Sequence, residues 1–138
     1  MSRYVKMGVS IPQELYVEID KIMSRMGIRN RSRFIQMIIR EHILSYYMTY
    51  ERNLEVIGII AVYYDHTKKD LDRLLIDVQH DFLDIIISLQ HIHVTKRFCV
   101  EMISVRGSLS RVEELLKKIG ELEITHLKYI LFPVIDKT

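Results

Sequence analysis

Cysteine is almost absent from this chain, with a single residue, Cys99, in 138. One cysteine excludes an internal disulfide framework and suits a reducing compartment. Long apolar runs are also missing. The longest, such as Val56 to Tyr64, fall far short of a membrane span, so no membrane association is expected. No secretory signal is visible, because the N-terminus runs straight into a charged, alternating pattern; the expected location is cytoplasmic. There is no P-loop, no dinucleotide fingerprint and no paired-carboxylate motif. Internal repeats and low-complexity stretches are lacking as well. What remains, 49% hydrophobic and 28% charged, is the composition of a globular protein of one ordinary domain or two small ones.

The net charge of +2 says little, but its distribution says more. Residues 1–50 hold eight Lys and Arg against four Asp and Glu, whereas residues 55–138 hold eleven against thirteen. A basic N-terminal unit joined to a mildly acidic one points the first part toward a polyanion.

Within that basic unit, Lys6 to Ile11 alternates strictly. Met7, Val9 and Ile11 share one face, and Lys6, Gly8 and Ser10 share the other. This pattern predicts a short strand. Pro12 then stands at the first position of a helix with Ser10 as a plausible cap, Leu15, Ile19, Ile22 and Met26 recur at helical spacing, and Gly27 ends the run. Asn30 or Ser32 can cap a second helix that carries Phe34, Ile35, Ile38, Ile39 and Ile43 and continues to about Tyr47. One strand and two helices in fewer than 50 residues cannot bury enough apolar surface to stand alone. Two copies can solve this by pairing their strands antiparallel and interlocking their helices. Such a ribbon fits the DNA major groove and presents Lys6, Gly8 and Ser10 outward. The plainer alternative is an edge strand of a larger sheet.

Residues 48–54 break the periodicity and read as a hinge, which divides the chain into domains 1–50 and 51–138. Beyond it the pattern predicts a strand from Glu55 to Tyr64 and a helix from Lys69 to about Phe82. Two strands follow, Ile85 to Val94 and Phe98 to Arg106, joined by a turn near Thr95-Lys96-Arg97, with Gly107 closing the second. A helix from Ser110 to Ile119 ends at Gly120, and a last strand runs from Ile124 to Phe132. This βαββαβ order is the split βαβ, ferredoxin-like arrangement. The fold class is therefore α+β, and its open sheet edges favour pairing between chains.

The chemistry concentrates in twenty residues of this second part. His91 and His93 are separated by one residue on a strand, so both imidazoles leave the same face. Cys99 lies on the next strand, where it can come opposite them. His80, near the end of the preceding helix, could supply a fourth nitrogen. Imidazole and thiolate donors suit Ni, Cu, Zn or Co far better than Mg or Ca, and geometry then chooses among the four. Singly, such residues are usually packing or surface groups. Four within twenty positions are harder to dismiss. His42, His66 and His126 show no comparable clustering and read as structural or solvated. A Cys99 nucleophile with a histidine base is the weaker reading, since the hairpin offers no helix N-terminus or glycine-rich oxyanion site. No enzymatic activity is expected.

Asn30-Arg31-Ser32, Gln79-His80, His91-Ile92-His93 and Cys99 together resemble the nickel-responsive transcriptional regulators, the NikR family. The likeness runs from about Lys6 to about Phe132. It implies a ribbon-helix-helix DNA-binding dimer followed by an ACT-like metal-binding domain, assembled as a homotetramer of two dimers. It also implies one Ni(II) per subunit, held in a plane by His91, His93 and Cys99 of one chain and His80 of another. Its implied partner is double-stranded operator DNA, usually the promoter of a nickel-uptake system, which is repressed. Lys6, Gly8 and Ser10 would face bases, while Asn30, Arg31 and Ser32 open a helix whose amides can hold a phosphate. Three positions depart from the family pattern. Gly8 stands where a side chain would normally touch a base, and Arg33 and Met37 stand where acidic residues often help bind a second cation, whose charge Arg33 is expected to take over.

Overall fold

The computed structural model describes residues 3–135. The chain divides into two compact units, Met1–His42 and Ile43–Thr138. The first contains α1 (Gln13–Met26) and the start of α2 (Arg31–Tyr50). Pro12 precedes α1 with φ −58° and ψ 144°, so it stands just outside the helix, and Ser10 makes no cap. Gly27 closes α1 in the left-handed conformation at φ 67°. Its N–H reaches the Ser24 carbonyl, and the next N–H, of Ile28, reaches that of Met23 at 2.9 Å. That pair of bonds is a Schellman motif, which favours glycine because a Cβ is strained there. Asn30 caps α2, its Oδ1 accepting the Arg33 N–H at 3.0 Å.

Among the described residues of this unit, only Met23 and Phe34 are buried. Leu15, Ile22, Met26, Ile38 and Ile39, which the spacing places on inward faces, stay exposed in the single chain. Two buried side chains are far too few to stabilise two helices. The segment from Lys6 to Ile11 carries no regular secondary structure, contrary to the strand expected there. A strand is defined by its ladder partner, and among the described residues of one chain nothing pairs with this segment.

The second unit follows the predicted order. Its elements are β1 (Glu55–Asp65), α3 (Leu71–His80), β2 (Ile86–His93), β3 (Phe98–Ser108), α4 (Leu109–Gly120) and β4 (His126–Pro133). They build an antiparallel four-stranded sheet in the order β2-β3-β1-β4. Each helix crosses over one intervening strand, which makes two interlocked split βαβ units, so the protein is α+β. One face of the sheet is covered. Val56, Ile60, Val62 and Tyr64 of β1 alternate inward with Cys99, Ile103 and Val105 of β3. Leu71 and Leu75 of α3, with Val112, Leu115 and Ile119 of α4, complete that core. The opposite face keeps Ile57, Ile59, Ile130 and Phe132 partly open to solvent.

Several boundaries move from their predicted places, each for a local reason. α2 continues to Tyr50, so the connection to β1 shrinks to residues 51–54. α3 starts at Leu71 rather than Lys69 because Asp70 adopts φ 63°, which no helix interior tolerates. It ends at His80 rather than Phe82. Gly107 lies inside β3 instead of closing it: a Cβ there would stand 2.5 Å from Cγ2 of Ile85, which packs against the glycine as the chain enters β2. Ser108 then caps α4 by accepting the Arg111 N–H, so that helix starts at Leu109 rather than Ser110. β4 begins at His126, two residues after the expected start.

Gly58, in the middle of the sheet, has no room for a side chain. A Cβ at this position would lie 2.1 Å from the Ile130 carbonyl oxygen and 2.8 Å from Cδ2 of Leu131. Gly58→Ala must therefore push β4 away from β1. We expect it to lower stability by about 1–3 kcal/mol in chemical denaturation, as overpacking does; an unchanged midpoint would show that the β1–β4 pair yields freely.

Candidate metal centre

β2 and β3 pair antiparallel in a register that sets His93 opposite Cys99 and His91 opposite Glu101. Residues two apart on a strand share a face, so both imidazoles and the thiol emerge on the helix-covered side of the sheet. Cys99 Sγ lies 3.5 Å from His93 Nδ1. The His91 and His93 rings are 4.9 Å apart, centre to centre. The donor atoms of His91, His93 and Cys99 all fall within 4.8 Å of one another, the thiol buried and both rings exposed. Two nitrogens and a sulfur at that spacing fit a borderline-soft divalent ion and exclude a hard, oxygen-seeking one.

The thiol is held protonated in the metal-free protein. Burial pushes the Cys99 pKa up, and the carboxylates of Asp72 and Glu101 push it further. Tyr64, buried beside the site with its ring edge toward His91, is likewise held neutral, first by burial and then by Asp72. Tyr64, Asp72 and Glu101 line a cleft of about 350 Å³ together with Ile76, His66 and the two imidazoles. Gln79 Nε2 donates to Glu101 Oε1 at 2.8 Å, so the last turn of α3 is tied to the strand that carries Cys99. Both partners are buried, and the bond satisfies each of them.

His80 ends α3, exposed, and does not join the three-residue cluster within this chain. His66 comes closer than its sequence position suggested. Its ring centre is 6.5 Å from that of His93, and its Nε2 is engaged by the Lys96 carbonyl. Tyr64, Asp72 and Glu101 were not singled out from the sequence, and Gln79 was quoted only as the neighbour of His80, with no role of its own. For Glu101, the spacing of two residues from Cys99 carried the one hint.

Of the expected DNA contacts, Lys6, Gly8 and Ser10 are exposed ahead of α1, and Asn30, Arg31 and Ser32 are exposed around the start of α2. Arg31 is not free. It pairs with Asp20 at 2.8 Å and lies 4.6 Å from the centre of the Tyr16 ring. Arg33 and Met37 are exposed on α2, and the second-cation expectation attached to them has no further bearing within this unit.

Residues 57–132 match the family described as the NikR C terminal nickel binding domain. The chain belongs to the nickel-responsive regulator family. A curated protein of Methanothermobacter thermautotrophicus, classed by its name as a nickel-responsive regulator, is 34% identical over 125 residues, covering 90% of this chain and 89% of its own. Another so classed, from Chlorobaculum tepidum, is 40% identical over 115 residues, covering 83% and 84%. Among solved structures, the ACT domain of the GTP pyrophosphokinase of Chlorobium tepidum superposes with a TM-score of 0.48 at 9% identity, over 55% of this chain and 99% of that one. Nickel is the family's metal, and two imidazoles with a thiol are donors that suit it. No helix among the described residues is long and apolar enough to cross a membrane.

The hairpin that presents these donors is pinned at its turn. Thr95 Oγ1 accepts the N–H groups of Arg97 and Phe98. Arg97 Nε donates to Asp65 Oδ2 at 2.6 Å, and Thr67 donates to Oδ1 through both its N–H and its hydroxyl. The Asp65 side chain is only 4% exposed. The bonds from Thr67, then those from Arg97, outweigh the cost of burial and lower its pKa to about 2. A depressed carboxyl pKa stabilises the fold above the unfolded value of about 3.9 and loses that contribution as pH falls through 2. Asp65→Asn should thus be less stable than the parent at pH 7, and the gap in Tm should close between about pH 4 and pH 2. A gap that stays constant down to pH 2 would remove the ionised carboxylate from the account.

Proposed function

We propose that this chain is a nickel-dependent transcriptional regulator, a repressor of nickel-uptake genes. Residues 1–50 form a dimeric ribbon-helix-helix domain for operator DNA, and residues 51–138 form an ACT-like domain that binds metal and tetramerises. The observation that carries the reading is the convergence of His91, His93 and Cys99 within 4.8 Å. One Ni(II) per subunit would be held by these three and by His80 of a neighbouring subunit. In support, His80 lies outside the cluster of its own chain and is exposed, and β2 is an edge strand whose imidazoles face solvent. Bound there, nickel supplies a borderline Lewis acid that links donors from two subunits.

The chain's own residues do the rest. The buried thiol gives up its proton on metal binding, and Gln79 with Glu101 steadies the helix end that carries His80. The apolar faces left open on α1 and α2 call for a second copy, which would also give Lys6–Ile11 a pairing partner. The paired ribbon then presents Lys6, Gly8 and Ser10 to base edges, while Asn30, Arg31 and Ser32 meet phosphates. His91, His93 and Cys99 with a neighbour's His80 would couple metal to DNA binding only to the extent that the DNA-competent arrangement of subunits held the ion more tightly. A cytoplasmic location follows from that role.

Cys99→Ala, His91→Ala and His93→Ala should each abolish nickel-dependent retention of operator DNA while leaving circular dichroism unchanged. Parent-like nickel affinity in these variants, by equilibrium titration, would remove the site assignment. The parent protein should show Ni(II)–thiolate absorption bands, which a zinc site would lack.

Lys6→Ala should weaken binding to the operator more than to unrelated DNA and lower the slope of log affinity against log salt. A slope equal to the parent's would take Lys6 off the DNA.

A further inference from the structure

His80 ends α3, and residues 81–85 carry the chain from it to the start of β2. This short connection therefore sets the end of the helix that holds one candidate donor and leads to the strand that holds two. Arg111, in the first turn of α4, grips it at three places. Nη2 donates to the Asp81 carbonyl at 2.7 Å. Nε and Nη2 bind the two carboxylate oxygens of Asp84 at 3.1 and 3.0 Å. The guanidinium carbon lies 4.1 Å from the centre of the Phe82 ring, which is itself buried in the core. Nη1 meanwhile donates to Glu114 at 2.9 Å, one turn along α4, and holds the fork from behind.

Isolated exposed ion pairs contribute little, but a bidentate, stacked and networked guanidinium is the exception to that rule. Its contact with the Asp81 carbonyl also places a cation at the C-terminal end of α3, where unpaired carbonyls and the helix dipole favour one. The residue before His80 is anchored to the sheet through Gln79 and Glu101. Among side chains of the described residues, Arg111 alone hydrogen-bonds the residues after it from α4, while Phe82 and Ile85 pack into the core. His80 thus stands on a helix end fastened on both sides.

We propose that Arg111 is a positioning residue for the nickel centre: by fastening Asp81, Phe82 and Asp84 it fixes the direction in which His80 is offered to a neighbouring subunit. This rests on the reading of His80 as the fourth donor. Arg111 touches neither the metal nor the other ligands. Lysine would keep its charge but neither the fork nor the stacking, so it is a poor substitute.

The test is a double-mutant cycle on the full chain, read by nickel titration and by the Ni(II)–thiolate absorption spectrum. Arg111→Ala should weaken nickel binding about tenfold, the lower end of what loss of a supporting residue costs a metal site. Arg111→Lys should recover only part of that. His80→Ala should weaken binding as well and alter the spectrum in the same sense as Arg111→Ala. In the His80→Ala background, Arg111→Ala should change nothing further. If Arg111→Ala leaves affinity unchanged, or costs the same with and without His80, the proposal is overturned while the four-donor reading stands. If His80→Ala itself has no effect, that reading fails and the proposal falls with it. Should Arg111→Ala not fold, Asp84→Asn, on an exposed side chain, removes only the paired carboxylate. It should give a smaller loss, again absent in the His80→Ala background; a loss that persists there overturns the proposal.

Discussion

The antiparallel register of β2 on β3 is the constraint on which the metal centre depends. It places His93 across from Cys99 and leaves His91 one step further along the same face. A slip of one residue would send both imidazoles to the opposite face of the sheet and leave the thiol alone in the core. Register in turn is held at the two ends of the hairpin. At the turn, Thr95, Arg97 and Asp65 bind it to the end of β1. At the open end, Ile85 packs against Gly107 and accepts the Arg106 N–H. The shift in pairing between Ile86 and Ser88 falls at that end, away from the ligands.

Around the three donors the electrostatics are set for a cation. Burial first, and then Asp72 and Glu101, raise the cost of ionising Cys99. The same carboxylates would attract a divalent ion and stabilise the imidazole–thiolate set once it is bound. The buried thiol keeps the sulfur from solvent, whereas the exposed rings leave room for an outside donor. A closed structural metal site is four-coordinate. Among the described residues three donors gather, and in the proposed reading the fourth is the exposed His80 at the end of α3 of a neighbouring subunit.

Much of this was legible in the residues. Alternation and turn chemistry yielded the element order of the second unit, and the His-x-His spacing with Cys99 across a short turn yielded the trio. The ends of elements were less legible, because they turn on single events: the left-handed Asp70, the Ser108 cap and the packing of Ile85 on Gly107. The strand at Lys6–Ile11 shows the limit from the other side. Its pattern is strong, yet a pattern does not supply a ladder partner, and among the described residues of one chain the segment has none.

By itself, then, the sequence determined the periodicities, the donor types and their separation along the chain, since those are properties of neighbours. Tertiary structure alone decided which distant groups surround them. Tyr64 and Asp72 reach the thiol from β1 and α3, Asp65 and Arg97 meet across 32 positions, and Arg111 grips the turn after His80 from 27 to 30 positions away. No local period encodes such encounters. They follow from the two crossovers that fold both helices onto one face of the sheet, and burial on that face is what converts proximity into shifted charge and fixed direction.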